Sequence, residues 1–383
     1  MYDGVTTDGS SRGPVRATLC SLSLLLAPAL GGVANAADGL TYIQHNLVSD
    51  GFIAADHTDP HLINPWGIVF GPTAPVWVSN QGSDTSTLYD GLGNLLPPGA
   101  PLIVAIPRDN ELPPVHGPAG IVATQGTAGQ FVVTENGVSA PAAFIFSTLD
   151  GTIDGWAPSV DATNAITVVD QSLTGAGAVF TGIALANNGT ATLLYAADFG
   201  NARISVFDTN FKPVTLAANA FTDPRIPASS APFSIHNIGG ALYVAYAPKD
   251  RAPGLGHGAI DVFDTAGNLI KRFTASGFLN NPWAVTLAPA DFGIFSNHIL
   301  VGNSGNGTIL AFDPERGQFD GFVLGANHKP LVIDGLLDLE FGNGLRNQPT
   351  NALFFSSGPG KQLHGLYGTL TPAMSTKPGD DYY

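Results

Sequence analysis

The chain has 383 residues, 47 of them Gly and 29 Pro, and is 44% hydrophobic but only 12% charged. Surface helices need Lys, Glu and Arg, and disordered chains carry charge without apolar mass, so neither suits this composition and an all-β chain with many tight turns is expected. A net charge of −15 sets the field of the whole protein against a phosphate backbone, which removes nucleic acid as a partner.

Arg12 and Arg16 precede an apolar stretch, and Ala34-Asn35-Ala36 supplies the small-x-small pattern of a signal-peptidase site. Residues 1–36 therefore read as a signal peptide, and the protein is expected in the periplasm or outside the cell. Residues 1–14 are polar and add nothing to a leader, which predicts translation from Val15. The apolar stretch, about 14 residues, falls short of the roughly 20 that span a bilayer, so no membrane span is expected. Cys20, the sole cysteine, lies in the leader, leaving a mature chain with no thiol or disulfide. Residues 37–370 form the expected folded domain. Residues 371–383, polar and containing Pro378-Gly379-Asp380-Asp381, read as a disordered tail.

The expected domain repeats a single unit: a Pro-x-Gly-apolar start, an apolar strand ending in a polar residue, then Gly or Asn and a strand ending in Phe-Asp. The clearest copy starts at Asn64-Pro65-Trp66-Gly67-Ile68, runs through Val76-Trp77-Val78-Ser79-Asn80 and ends at Leu88-Tyr89-Asp90. In the second copy the corresponding strand reads Phe131-Val132-Val133-Thr134-Glu135. The third holds Leu194-Tyr195-Ala196-Ala197-Asp198 and the fifth Ile299-Leu300-Val301-Gly302-Asn303. Equivalent positions are Gly67, Gly120, Gly182, Ser234, Ala284 and Asp338, at intervals of 53, 62, 52, 50 and 54. The apolar groups are short, β-branched or aromatic, and bounded by turn residues, the pattern of strands. Six small antiparallel sheets bury their faces by packing radially, so the sequence predicts a six-bladed β-propeller of four-stranded blades. Residues 40–48 alternate and belong to no unit; they are expected to add a strand to the sixth blade and close the ring.

The pattern Tyr-x-Ala-Asp followed by Arg-Ile-x-Val-Phe-Asp, seen from Tyr195 to Asp208, resembles NHL-repeat propellers. Asp59-Pro60-His61-Leu62-Ile63-Asn64-Pro65-Trp66-Gly67 resembles a family of exported bacterial propellers, some of which carry a PEP-CTERM sorting tail that this chain lacks. The resemblance implies the propeller and export, and no activity.

Six-bladed propellers also include gluconolactonase- and paraoxonase-type hydrolases. In these, carboxylates or amides before the inner-strand Gly converge on Ca²⁺, a hard cation that takes oxygen ligands. The matching positions here are Trp66, Ala119, Thr181, Phe233, Trp283 and Leu337, of which one carries an oxygen; Asp334-Gly335 mimics the signature nearby. Trp66, Phe233 and Trp283, with Asp334, are then candidates for a ligand site at one channel mouth, against the plainer expectation that the rings pack between blades. Asn80, Glu135, Asp198 and Asn303 occupy one repeat position and either hold turns or form a polar ring. Asp56-His57-Thr58-Asp59-Pro60-His61 has the residue types of a metal site, or is a solvated loop. His236 and the other histidines read as scattered loop residues. No nucleophile elbow is present. The expected function is a monomeric scaffold that binds a small molecule or an envelope protein, with no cofactor; the alternative is a Ca²⁺-assisted hydrolase or lyase.

Overall fold

A computed structural model describes residues 40–71, 75–108, 116–173, 175 and 177–373. The leader, Cys20 and residues 374–383 lie outside it. Its regular secondary structure is almost all strand. β1 (Tyr42–Ser49) and β2 (His57–Thr58) lead into the first blade, β3 (Pro65–Phe70), β4 (Val76–Asn80), β5 (Thr85–Tyr89) and β6 (Ile103–Ala105). The second blade contains β7 (Pro118–Ala123). A separate hairpin, β8 (Val132–Glu135) and β9 (Val138–Pro141), follows, and then β10 (Phe144–Thr148), β11 (Thr152–Trp156) and β12 (Ile166–Asp170) complete the blade.

The third blade has three strands, β13 (Phe180–Asn187), β14 (Thr192–Asp198) and β15 (Arg203–Phe207). Where a fourth would pair, Pro213 has no N–H to donate, and a single bridge to Phe207 remains. The fourth blade is β16 (Ser230–Ile238), β17 (Ala241–Pro248), β18 (Ala259–Phe263) and β19 (Leu269–Thr274). The fifth is β20 (Pro282–Leu287), β21 (Ile299–Asn303), β22 (Ile309–Phe312) and β23 (Phe319–Phe322). The sixth joins β24 (Leu336–Phe341), β25 (Leu353–Ser357) and β26 (Leu366–Pro372) to β1, so the first strand closes the ring as expected. β26 runs two residues past the expected domain end. The fold is a six-bladed β-propeller of mostly four-stranded antiparallel blades.

Six apolar clusters hold it together: five each fill one junction between neighbouring blades, and the sixth joins the last two blades to the residues on the axis. Leu47, Val48 and Tyr367 of the last blade meet Ile68, Val76 and Tyr89 of the first; Trp77 meets Phe144 and Trp156 at the next junction. Each buried Val, Leu, Ile or Phe side chain stabilises by about 1.5–3 kcal/mol. In every blade the pairing of the innermost strand with its neighbour slips in register, as between Pro65 and Ile68 or Pro282 and Ala284. These bulges sit at the repeat positions predicted from sequence and bend the inner strands around the axis. They also set the backbones too close for side chains: a Cβ on Gly67 would lie 2.7 Å from Ala119 O, and one on Gly120 2.7 Å from Ile183 N.

The second-blade expectation needs correction. Phe131 to Glu135 is not the second strand of its blade. β10 pairs with β7 in that place, and the β8–β9 hairpin lies outside the blade's sheet.

Candidate functional site

Along the axis the residues just before the bulge positions meet one another. Trp66 and Phe233 contact edge to face with centroids 6.1 Å apart, as do Trp66 and Trp283. Trp283 Nε1 donates to Thr181 O across the ring at 3.0 Å. Ser234 Oγ donates to Trp283 O and Ser356 Oγ to Trp66 O, tying blade to blade beside the rings. Trp66, Phe233 and Trp283 are 1–2% exposed. The aromatic set therefore does not stack a ligand at an open mouth; it plugs the channel, because three large rings from three blades fill the axis that small residues leave free.

The plug creates a closed-bottomed funnel of about 340 Å³ on the face where the inner strands end. All six inner strands line it. Gly120, Gly182 and Ser234 lie deep in it, Trp283 belongs to the plug, and His236, Thr286 and Asp338 add polar groups. His236 Nε2 donates to Trp283 O at 2.9 Å, which leaves Nδ1 as the ring's acceptor. Burial pushes His236 down to about 4, so the ring is neutral at neutral pH. Asp338 Oδ2 accepts from Ile68 N at 2.8 Å, linking the last blade to the first, and Oδ1 accepts from Leu339 N. Burial outweighs both bonds and raises Asp338 to about 7. Glu340, two residues on and on the same side of β24, is raised to about 8 by burial and by the charge of Asp338.

The other candidates separate. Asp334 is exposed and accepts from Gly360 N, away from the funnel, because it precedes the inner strand in a turn rather than lying on it. Asn80, Asp198 and Asn303 occupy equivalent positions and are fully buried. Asn80 Nδ2 donates to Thr85 and Thr87, Asn303 binds Asn280 N, Phe278 O and Thr308, and Asp198 accepts from Val179 N, Asn201 and Arg203. These bonds tie each side chain to its own hairpin or the preceding loop, and Asn80 Oδ1 alone of their polar atoms is left without a partner among the described residues. Glu135 is not their equivalent: it is exposed at the β8–β9 turn, and Thr148 stands in its place opposite Pro118.

The Asp56 to His61 group also diverges. Asp56 pairs with His45 at 2.8 Å, while Asp59 turns inward to accept from Tyr89 Oη at 2.7 Å. Among the described residues no three His, Cys, Asp or Glu side chains come together as metal ligands would. The donor set before the bulges does not fit Ca²⁺ either, since its one oxygen side chain, Thr181 Oγ1, donates to Ala197 O. His236 was missed as a site residue. It lies on β16, not in a loop, and its signal is its place two residues after Ser234, which alternation turns to the same side of the strand. No described helix is long and apolar enough to cross a membrane.

No family model matches the chain. Two uncharacterised proteins of Acanthamoeba polyphaga mimivirus are similar in sequence. One is 36% identical over 341 residues, covering 86% of this chain and 80% of that protein; the other is 36% identical over 343 residues, covering 86% of each. Among solved structures, a streptogramin B lyase has a TM-score of 0.50 at 14% identity, covering 86% of this chain and 97% of that one. A glucose dehydrogenase reaches 0.53 at 11% identity, covering 85% and 99%. These structures share the fold alone. The relatives correct the expected bacterial family: they are viral proteins, and nothing in the similarity points to NHL repeats or a PEP-CTERM tail. By the extent of that similarity, the chain belongs to the family of these mimivirus proteins.

Proposed function

We propose that the chain binds a small, uncharged molecule in the funnel above Trp283. The observation that carries this reading is the plug: it turns an axial channel into a closed-bottomed pocket to which all six blades contribute. Such a concave cavity, with apolar walls and polar groups in about equal measure, suits a small ligand better than a protein surface. His236 is neutral at neutral pH, Asp338 keeps its proton about half of the time, and the net charge of −15 disfavours an anion there. Thr286→Trp fills the funnel from β20. Saturation-transfer NMR with a fragment library of neutral molecules is expected to find binders that compete with one another and are lost in both Thr286→Trp and His236→Ala. Binders indifferent to Thr286→Trp, or none at all, would overturn the proposal.

A second reading, acid–base chemistry of the lyase kind, rests on His236 Nδ1, which has no bond among the described residues; with the ring held down to about 4 it is a weak base until a bound substrate raises it. The structural neighbour named as a lyase lends it only a shared fold.

A further inference from the structure

The plug has a second side. Opposite the funnel, Phe233 and Leu337 lie at the base of a vestibule of about 270 Å³, with Pro253, Ser304 and Gln362 in its wall and Arg251 and Asp250 beside them. Arg251 is half-buried, and its guanidinium has no hydrogen-bond or ion-pair partner among the described residues. Arg272, also half-buried, shows the usual arrangement: it binds Asp223 and Asp261 at 2.7 and 2.9 Å. A cation taken out of water without a counter-ion is a cost to the fold, and in a chain of this negative charge it stands out.

The backbone around it is also strained. Arg251 has φ 51°, and two other residues of the vestibule, Asn281 and Gln362, have φ 50° and 67°. Non-glycine residues adopt this region infrequently. Asn281 Nδ2 holds Arg251 in place by donating to its carbonyl at 2.8 Å, and Arg251 N donates to Pro248 O at 2.8 Å. These bonds fix the Arg251 backbone beside the vestibule.

We infer that this vestibule binds a small monocarboxylate with an apolar body, its carboxylate on Arg251 and the Gln362 amide and its body against Pro253, above the floor that Phe233 and Leu337 form. A guanidinium offers a carboxylate two parallel N–H donors. A dianion is disfavoured because Asp250 lines the same mouth. The experiment is isothermal titration of the full chain with benzoate, benzamide and inorganic phosphate at low salt. Benzoate is expected to bind at least tenfold more tightly than either, because benzamide lacks the charge and phosphate lacks the apolar body. Arg251→Met, which keeps the stem, is expected to lose benzoate at least tenfold while its thermal midpoint without ligand stays level or rises. Thr286→Trp, across the plug, is expected to bind benzoate unchanged. Benzoate binding equally to Arg251→Met, tighter binding of phosphate, or loss of benzoate in Thr286→Trp alone would each overturn the assignment.

Discussion

Trp66 and Trp283 fill the same axis and differ by one hydrogen bond. Trp283 Nε1 donates to Thr181 O, whereas Trp66 Nε1 is buried with no acceptor among the described residues. Changing either to Phe removes a similar apolar area. Trp283→Phe also strands a carbonyl, while Trp66→Phe deletes an N–H that was already unsatisfied. Trp283→Phe should therefore cost about 1–3 kcal/mol more than Trp66→Phe, the difference between losing a buried partner and losing an orphan. Denaturant unfolding of the two variants checks this, with the m-value as control. Equal losses would mean that the Trp66 N–H finds an acceptor in solution.

At the level of strands, closure of the ring depends on β1. It pairs with β26 from Tyr42 to Ser49 and buries Tyr42, Leu47 and Val48. Tyr42 also reaches the fifth blade, packing against Phe292 and Phe295 and donating to Phe292 O at 2.8 Å. A chain starting after Ser49 leaves β26 as a bare edge and two blades without their shared packing. Such a truncation is expected to lose near-UV circular dichroism and cooperative unfolding, and a peptide of residues 40–50 added in trans should restore both. Cooperative unfolding of the truncated chain alone would sink this account. The same strand was legible in the sequence because it alternates and belongs to no repeat. The inner strands were legible through Gly67 and Gly120, where close backbones exclude a side chain, and Gly182, where the approach is tight. The second blade was misread because Phe131 to Glu135 has the apolar pattern of a blade strand. The warning lay in the interval of 62 between Gly120 and Gly182, long enough for the extra β8–β9 hairpin. The plug was not legible: that Trp66 meets Phe233 and Trp283 depends on ring closure, which no local pattern records. Nor was Arg251, whose isolation is a property of its surroundings.

Across the whole molecule, buried carboxyls give the fold an unusual dependence on pH. Asp338 and Asp154 are raised to about 7 and Glu340 to about 8, in each case chiefly by burial; the Thr152 and Thr167 hydroxyls that donate to Asp154 offset only some of it. A carboxyl with a raised folded pKa keeps its proton in the fold after the unfolded chain has released it. Between the two pKa values the fold binds more protons, so stability falls as pH rises. His236, held down to about 4, works in the opposite sense, but its contribution is complete once the pH exceeds the unfolded histidine value of about 6.5. From pH 6.5 to 8 the three carboxyls act together. Their combined loss is on the order of 3 kcal/mol, with Glu340 giving about half. Growing self-repulsion of a chain already at −15 adds to it in the same direction. Urea titrations at half-unit pH steps should show stability falling over this window, and Glu340→Gln should flatten the fall by about half. A level profile would mean that these carboxyls are already ionised in the fold. A fall unchanged by Glu340→Gln would assign it to residues other than Glu340.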